Sequence, residues 1–170
     1  ETVLGSVVYP ACQIVKPGTI KHLAGNRFSL GEPEGSESDR LKFISDILKR
    51  AGFRAPIQKN IRDEIWLKLI GNLSFNPISA LTGATLEQIC NDQGTELIVR
   101  AMMTEAKIIA EELGAKINMS IEKRIDGARK VGAHKTSMLQ DIEAGKPIEI
   151  DSIIMAVKEL GELTCSPTPY

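Results

Sequence analysis

The sequence holds little of what usually announces a chemistry. It carries three cysteines and two histidines in 170 residues. Cys12, Cys90 and Cys165 lie far apart with no CxxC spacing. An odd, scattered count argues against a disulfide framework and suits a reducing compartment, so a cytoplasmic location is expected. With His22 and His134 the sole imidazoles, no metal site is expected. Aromatic residues make up 4%, and 21 basic against 22 acidic residues leave a net charge of −1. A chain so balanced has no broad attraction for nucleic acid or an anionic membrane, and few rings on which bases stack; neither partner is expected. No run of about 18 apolar residues could span a bilayer. Among 14 glycines no two stand two positions apart. The G-x-G-x-x-G turn that cradles a dinucleotide pyrophosphate is therefore absent, as is a P-loop. Residue 1 is not methionine, no basic start leads into an apolar signal core, and the closing CSPTPY completes no structural element. The expectation is a piece of a longer protein.

What is present changes grammar part-way along. VLGSVVYPACQIV (3–15) is rich in β-branched residues, and KPGTI (16–20) supplies a Pro-Gly turn. Short extended runs follow near 20–23 and 27–30. After a polar loop, Ser38 is placed to cap a helix over 39–52, where Leu41, Ile44, Ile47 and Leu48 fall at helical spacing and Gly52 provides a stop. FRAPIQ (53–58) reads as one more strand. From about residue 60 only helical periodicity remains, with helices expected near 61–81, 85–91, 94–113, 120–133, 137–144 and 149–162. The predicted fold is mainly α with a small α/β part. Residues 1–59 form one part and 60–170 an all-helical domain.

Within IWLKLIGNLSFNPISALTG (65–83), Lys68, Asn72 and Asn76 recur every four residues in an otherwise apolar helix. Steps of four turn a side chain by roughly 40°, so the three share an arc of about 80°. Unpaired amides in such a setting cost roughly 1–3 kcal/mol each, so partners are required. Pro77 cannot donate to the Leu73 carbonyl, which predicts a kink exposing acceptors beside Asn76. Two readings are open. The amides bond neighbouring loops while Lys68 reaches water, or all three line a ligand cleft in which Lys68 supplies a proton or a positive charge. In HKTSMLQDIEAGKPIEID (134–151), Ser137 followed by Gln140 has the pattern of a capping box starting a helix at Met138. Glu149 stands between Ile148 and Ile150 at the start of the next helix. Each is accounted for by ordinary helix-end chemistry or by a site.

The two segments together resemble the ketopantoate reductase family. That family's pattern, Arg-x-Glu-x-Trp-x-Lys, then Asn and Asn-Pro at four-residue steps, then Ser-Met-x-x-Asp and Glu-Ile-Asp, is met by Arg62, Glu64, Trp66, Lys68, Asn72, Asn76-Pro77, Ser137-Met138, Asp141 and Glu149-Ile150-Asp151. The opening strands are similar to the end of the family's Rossmann-type nucleotide-binding domain, and SPTP to the loop before its final helix, which is cut short here. The resemblance implies NADPH-dependent reduction of the 2-keto acid 2-dehydropantoate to pantoate, on the route to pantothenate and coenzyme A. It implies Lys68 as general acid, Asn72, Asn76 and Ser137 as substrate contacts, and Glu149 as an active-site carboxylate near both lysine and nicotinamide ribose. Ala11, through its backbone, matches a cofactor contact, and Glu105 falls where some members carry a glutamate near the site. An asparagine that some members place ten residues past the second amide is here Leu86. Alone, such a piece is expected to keep the substrate side of the site and to lack firm NADPH binding. The alternatives are a reductase of another 2-keto acid, or a helical association module of a catalytically decayed paralogue. In the latter, Leu97, Ile98, Ala101, Met102 and Ile108 on helix 94–113 form either core or a homodimer face.

Overall fold

In the N-terminal region, polar clusters and paired glycines substitute for a large apolar core. The computed structural model describes residues 3–170. Their contacts divide the chain into two compact units, Glu1–Ile65 and Trp66–Tyr170. The first holds β1 (Gly5–Val8), β2 (Ala11–Lys16), β3 (Thr19–Ala24), β4 (Phe28–Gly31), α1 (Asp39–Arg50) and the first turn of α2 (Ile61–Thr82). β1 pairs antiparallel with β4, setting Gly5 opposite Gly31. Ile61 lies against both glycines, where added Cβ atoms would come within 2.8 Å and 2.6 Å of its side chain. β2 and β3 form a separate antiparallel hairpin, closed by Pro17 and Gly18, whose φ of +75° is what a type II turn demands. Ser38 caps α1 by accepting from the Leu41 amide. FRAPIQ does not form the expected strand. It makes two isolated parallel bridges, Arg27–Arg54 and Leu30–Ile57, because Pro56 cannot donate to a ladder and contributes only its carbonyl, to the Leu30 amide.

The second unit is entirely helical among its described residues: the rest of α2, α3 (Leu86–Asn91), α4 (Gln93–Glu112), α5 (Ile121–Val131), α6 (Ser137–Glu143) and α7 (Ala156–Leu163). α7 is entered through a π-helical segment, Asp151–Met155, in which the Ala156 amide donates to the Asp151 carbonyl five residues back. Trp66, Ile70, Leu73, Ile89, Val99, Met103, Ala106, Ile109, Ile125, Met138 and Val157 are among the residues of one buried cluster. Met102 also belongs to that core, whereas Leu97, Ile98 and Ile108 remain exposed on α4. α2 runs unbroken through Pro77. Among the described residues no helix is long and apolar enough to cross a membrane.

Candidate active site

Helix α2 treats its polar residues in two ways. The buried hydroxyls of Ser74 and Ser79 donate to the Ile70 and Ala84 carbonyls at 2.8 Å and 2.7 Å, and Thr82 donates to Ile78 at 2.6 Å. Such bonding to backbone carbonyls removes the penalty of burying a hydroxyl. The carboxamides of Asn72 and Asn76 receive nothing comparable: among the described residues neither makes a side-chain hydrogen bond, although Asn76 is only 5% exposed. Both stand on the side of α2 that carries Lys68.

Lys68 is half-buried, and that burial pulls its pKa below the ordinary lysine value of 10.5. Glu149 opposes the shift by raising it. The carboxylate therefore lies within electrostatic reach of the ammonium across 81 residues of sequence. Glu149 itself is exposed, at the mouth of the π-helical segment; its carbonyl accepts from the Ile153 amide at 3.2 Å.

Ser137 is not the helix cap. Thr136 holds that position, its hydroxyl accepting from the Leu139 amide, and Ser137 is the first residue of α6. The Gln140 side-chain carboxamide donates through Nε2 to the Lys135 carbonyl at 2.8 Å rather than closing a capping box. Ser137 is thus exposed, with no side-chain hydrogen bond among the described residues.

Glu105 stands on α4 in the wall of a cavity of about 120 Å³, with Leu73, Met102, Ala106, Ile154 and Val157. Burial raises its pKa, opposed by the Tyr170 amide, which donates to its carboxylate at 3.2 Å. Ala11 belongs to the first unit, where it opens β2 with its side chain exposed. An exposed carboxylate within the field of an ammonium has the chemistry to accept from hydroxyls and to polarise a carbonyl. The G-x-G-x-x-G turn that cradles a pyrophosphate is absent from this sequence.

One polar cluster escaped the sequence reading. Glu64 accepts from the Tyr9 hydroxyl at 2.8 Å and the Ser29 hydroxyl at 3.1 Å, and pairs with Arg27. Its partners stand 55 and 35 residues away in sequence, so no local pattern could reveal it.

Comparison with known proteins now decides the family. The model described as "Ketopantoate reductase PanE/ApbA C terminal" matches residues 60–170. The chain belongs to the ketopantoate reductase family. A 2-dehydropantoate 2-reductase of Mesorhizobium japonicum is 54% identical over 169 residues, covering 99% of this chain and 52% of that protein. The 2-dehydropantoate 2-reductase structure from Methylococcus capsulatus superposes with a TM-score of 0.91 at 32% identity, over 98% of this chain and 58% of that one. A D-mandelate dehydrogenase solved with NADH and anilino(oxo)acetate shares the fold, with a TM-score of 0.83 at 21% identity, over 95% of this chain and 54% of that one. The chain spans about half the length of the curated ketopantoate reductases it matches.

Proposed function

We propose that this chain is the helical, substrate-side portion of a reductase converting 2-dehydropantoate to pantoate with NADPH in the cytoplasm. Residues 1–59 are read as the end of the nucleotide-binding domain and 60–170 as the catalytic domain. The observation that carries this reading is the half-buried Lys68 under the field of Glu149, on the same side of α2 as two carboxamides that make no side-chain hydrogen bond among the described residues.

The nicotinamide nucleotide, when bound, supplies the hydride. Asn72 and Asn76 hold the carboxylate and hydroxyl oxygens of the keto acid. The Ser137 hydroxyl, relieved of capping by Thr136, adds a further contact. As charge grows on the former ketone oxygen, the Lys68 ammonium stabilises it and then transfers a proton to the alkoxide. Burial makes that ammonium a stronger acid than a free lysine, and the Glu149 carboxylate partly offsets the effect by favouring the charged form. Glu149 and the Ala11 backbone are the groups this chain offers the nucleotide, and Glu105 is an outlying acid of the same site. In the full-length protein, Lys68→Ala should lower kcat by about 10²–10⁴-fold with an unchanged circular dichroism spectrum. Unimpaired NADPH oxidation with ketopantoate in that variant would overturn the assignment.

A homodimer through the helical domain is the second reading. Leu97, 65% exposed, and Ile108 lie with Ala101 and Thr104 at four-three-four spacing along the outer side of α4, the pattern of a helix-pairing stripe. Light scattering of the wild type and of Leu97→Asp tests it: a mass that is dimeric in the first and halved in the second is expected.

A further inference from the structure

The Glu64 cluster lies within the first unit and converges on the short crossing between β1 and β2. Tyr9, on that crossing, is fixed at four points. Its amide donates to the Arg27 carbonyl at 2.9 Å, and its hydroxyl donates to Glu64 at 2.8 Å. The Arg27 guanidinium sits 4.4 Å from the centre of its ring, an arrangement in which the cation meets the negative face of the aromatic system. Its carbonyl is packed against Gly25, where φ is +73° and any Cβ would come within 2.7 Å of the Tyr9 oxygen. Glu64 is in turn held by the fully buried Ser29 and by Arg27. Pro10 follows with a ring-locked φ, and Ala11 comes next, at an irregularity in the β2–β3 register between Ala11 and Cys12. Such irregularities re-aim the backbone.

We propose that Tyr9 and Glu64 are positioning residues for the nicotinamide nucleotide: together they set the direction in which the Ala11 backbone is presented. This rests on the reading of Ala11 as a cofactor contact. Neither residue touches the nucleotide; each acts through the rigidity of the Tyr9–Pro10–Ala11 segment. Arg27 and Ser29 complete the bracket by holding the Glu64 carboxylate where the Tyr9 hydroxyl reaches it.

The test is NADPH affinity in the full-length reductase, by fluorescence titration, beside steady-state kinetics and thermal unfolding. Tyr9→Phe and Glu64→Gln should each raise the NADPH Kd about 3- to 10-fold, the worth of one hydrogen bond, with kcat and the keto-acid KM within about twofold. The double variant should lose less than the sum of the two singles, because both act through the shared Tyr9–Glu64 contact. Ala11→Trp, which puts bulk at the contact itself, should weaken NADPH by more than either. Should Ala11→Trp weaken NADPH while Tyr9→Phe and Glu64→Gln leave it unchanged, the bracket is refuted and the Ala11 reading stands. An unchanged Kd in Ala11→Trp removes that reading and this inference with it. Equal losses in kcat and every KM together with a lowered Tm would mark the cluster as merely structural and overturn the proposal. Glu64 also stands one helical turn before Lys68 on α2, so an effect routed through the lysine would register in kcat instead.

Discussion

The two units of this chain reach stability by different routes. In the helical unit nineteen residues join one buried cluster, whereas in the strand-bearing unit the corresponding cluster is Leu30, Leu41 and Ala55. The smaller unit keeps Ile14, Ile20 and Phe43 at 73%, 70% and 67% exposed. It relies instead on polar hubs. Glu32, 1% exposed, accepts from Arg40 Nε at 2.9 Å and Nη2 at 2.5 Å and from the Ser38 hydroxyl. Glu64 gathers Tyr9, Arg27 and Ser29 in the same manner. A carboxylate with several donors is tightly directional, whereas apolar burial is not. The first unit is thus specified by a few bonds whose loss is abrupt, the second by many contacts whose loss is graded.

The sharpest contrast should come from truncation. Met103→Ala in the helical core should cost about 2–5 kcal/mol in denaturant unfolding, while Phe43→Ala on the exposed side of α1 should stay within about 0.5 kcal/mol. A comparable loss at both positions would erase the distinction. Next, Thr136→Ala should cost about 1 kcal/mol and Ser137→Ala almost nothing, since only the first caps α6. Ser137→Ala should instead raise the keto-acid KM of the full-length reductase.

Acid probes the polar route. Hydrogen bonds from Arg40, then from Ser38, hold Glu32 down at about 2 from the ordinary 4.5. The folded state thus binds the proton less readily than the unfolded one. The stabilisation is complete above pH 4.5 and drains away as pH falls toward 2. Thermal unfolding followed from pH 6 downward should show this loss, and Glu32→Gln should flatten it. The subtlest effect concerns the site. Because Glu149 raises the Lys68 pKa, Glu149→Gln should move the alkaline limb of kcat to lower pH. A limb displaced upward would contradict the pairing.

Most helices were readable because each carries its own punctuation: a 3.6-residue apolar period, a hydroxyl or carboxylate at the start, a glycine at the stop. Lys68, Asn72 and Asn76 were readable for the same reason, since a period of four places them together on any helix. Four features were not. Thr136 and Ser137 are equally able to cap, and only the buried setting of Thr136 separates them. FRAPIQ has a strand's composition, but Pro56 interrupts its ladder. The π-helical segment leaves no mark, because Ile150, Ile153, Ile154 and Val157 fit an ordinary helix equally well. The Glu64 hub needs the fold, since strands must first bring its donors together.

That π-helical segment bears on any transplantation of the site. One extra residue in a turn carries everything before it about 100° around the axis relative to an uninterrupted helix. Counting back from Val157 on a helical wheel therefore assigns Glu149 the wrong bearing. A chimera that borrows α7 from a homologue with regular winding would have to omit one residue between Asp151 and Met155 for the acid to keep its heading.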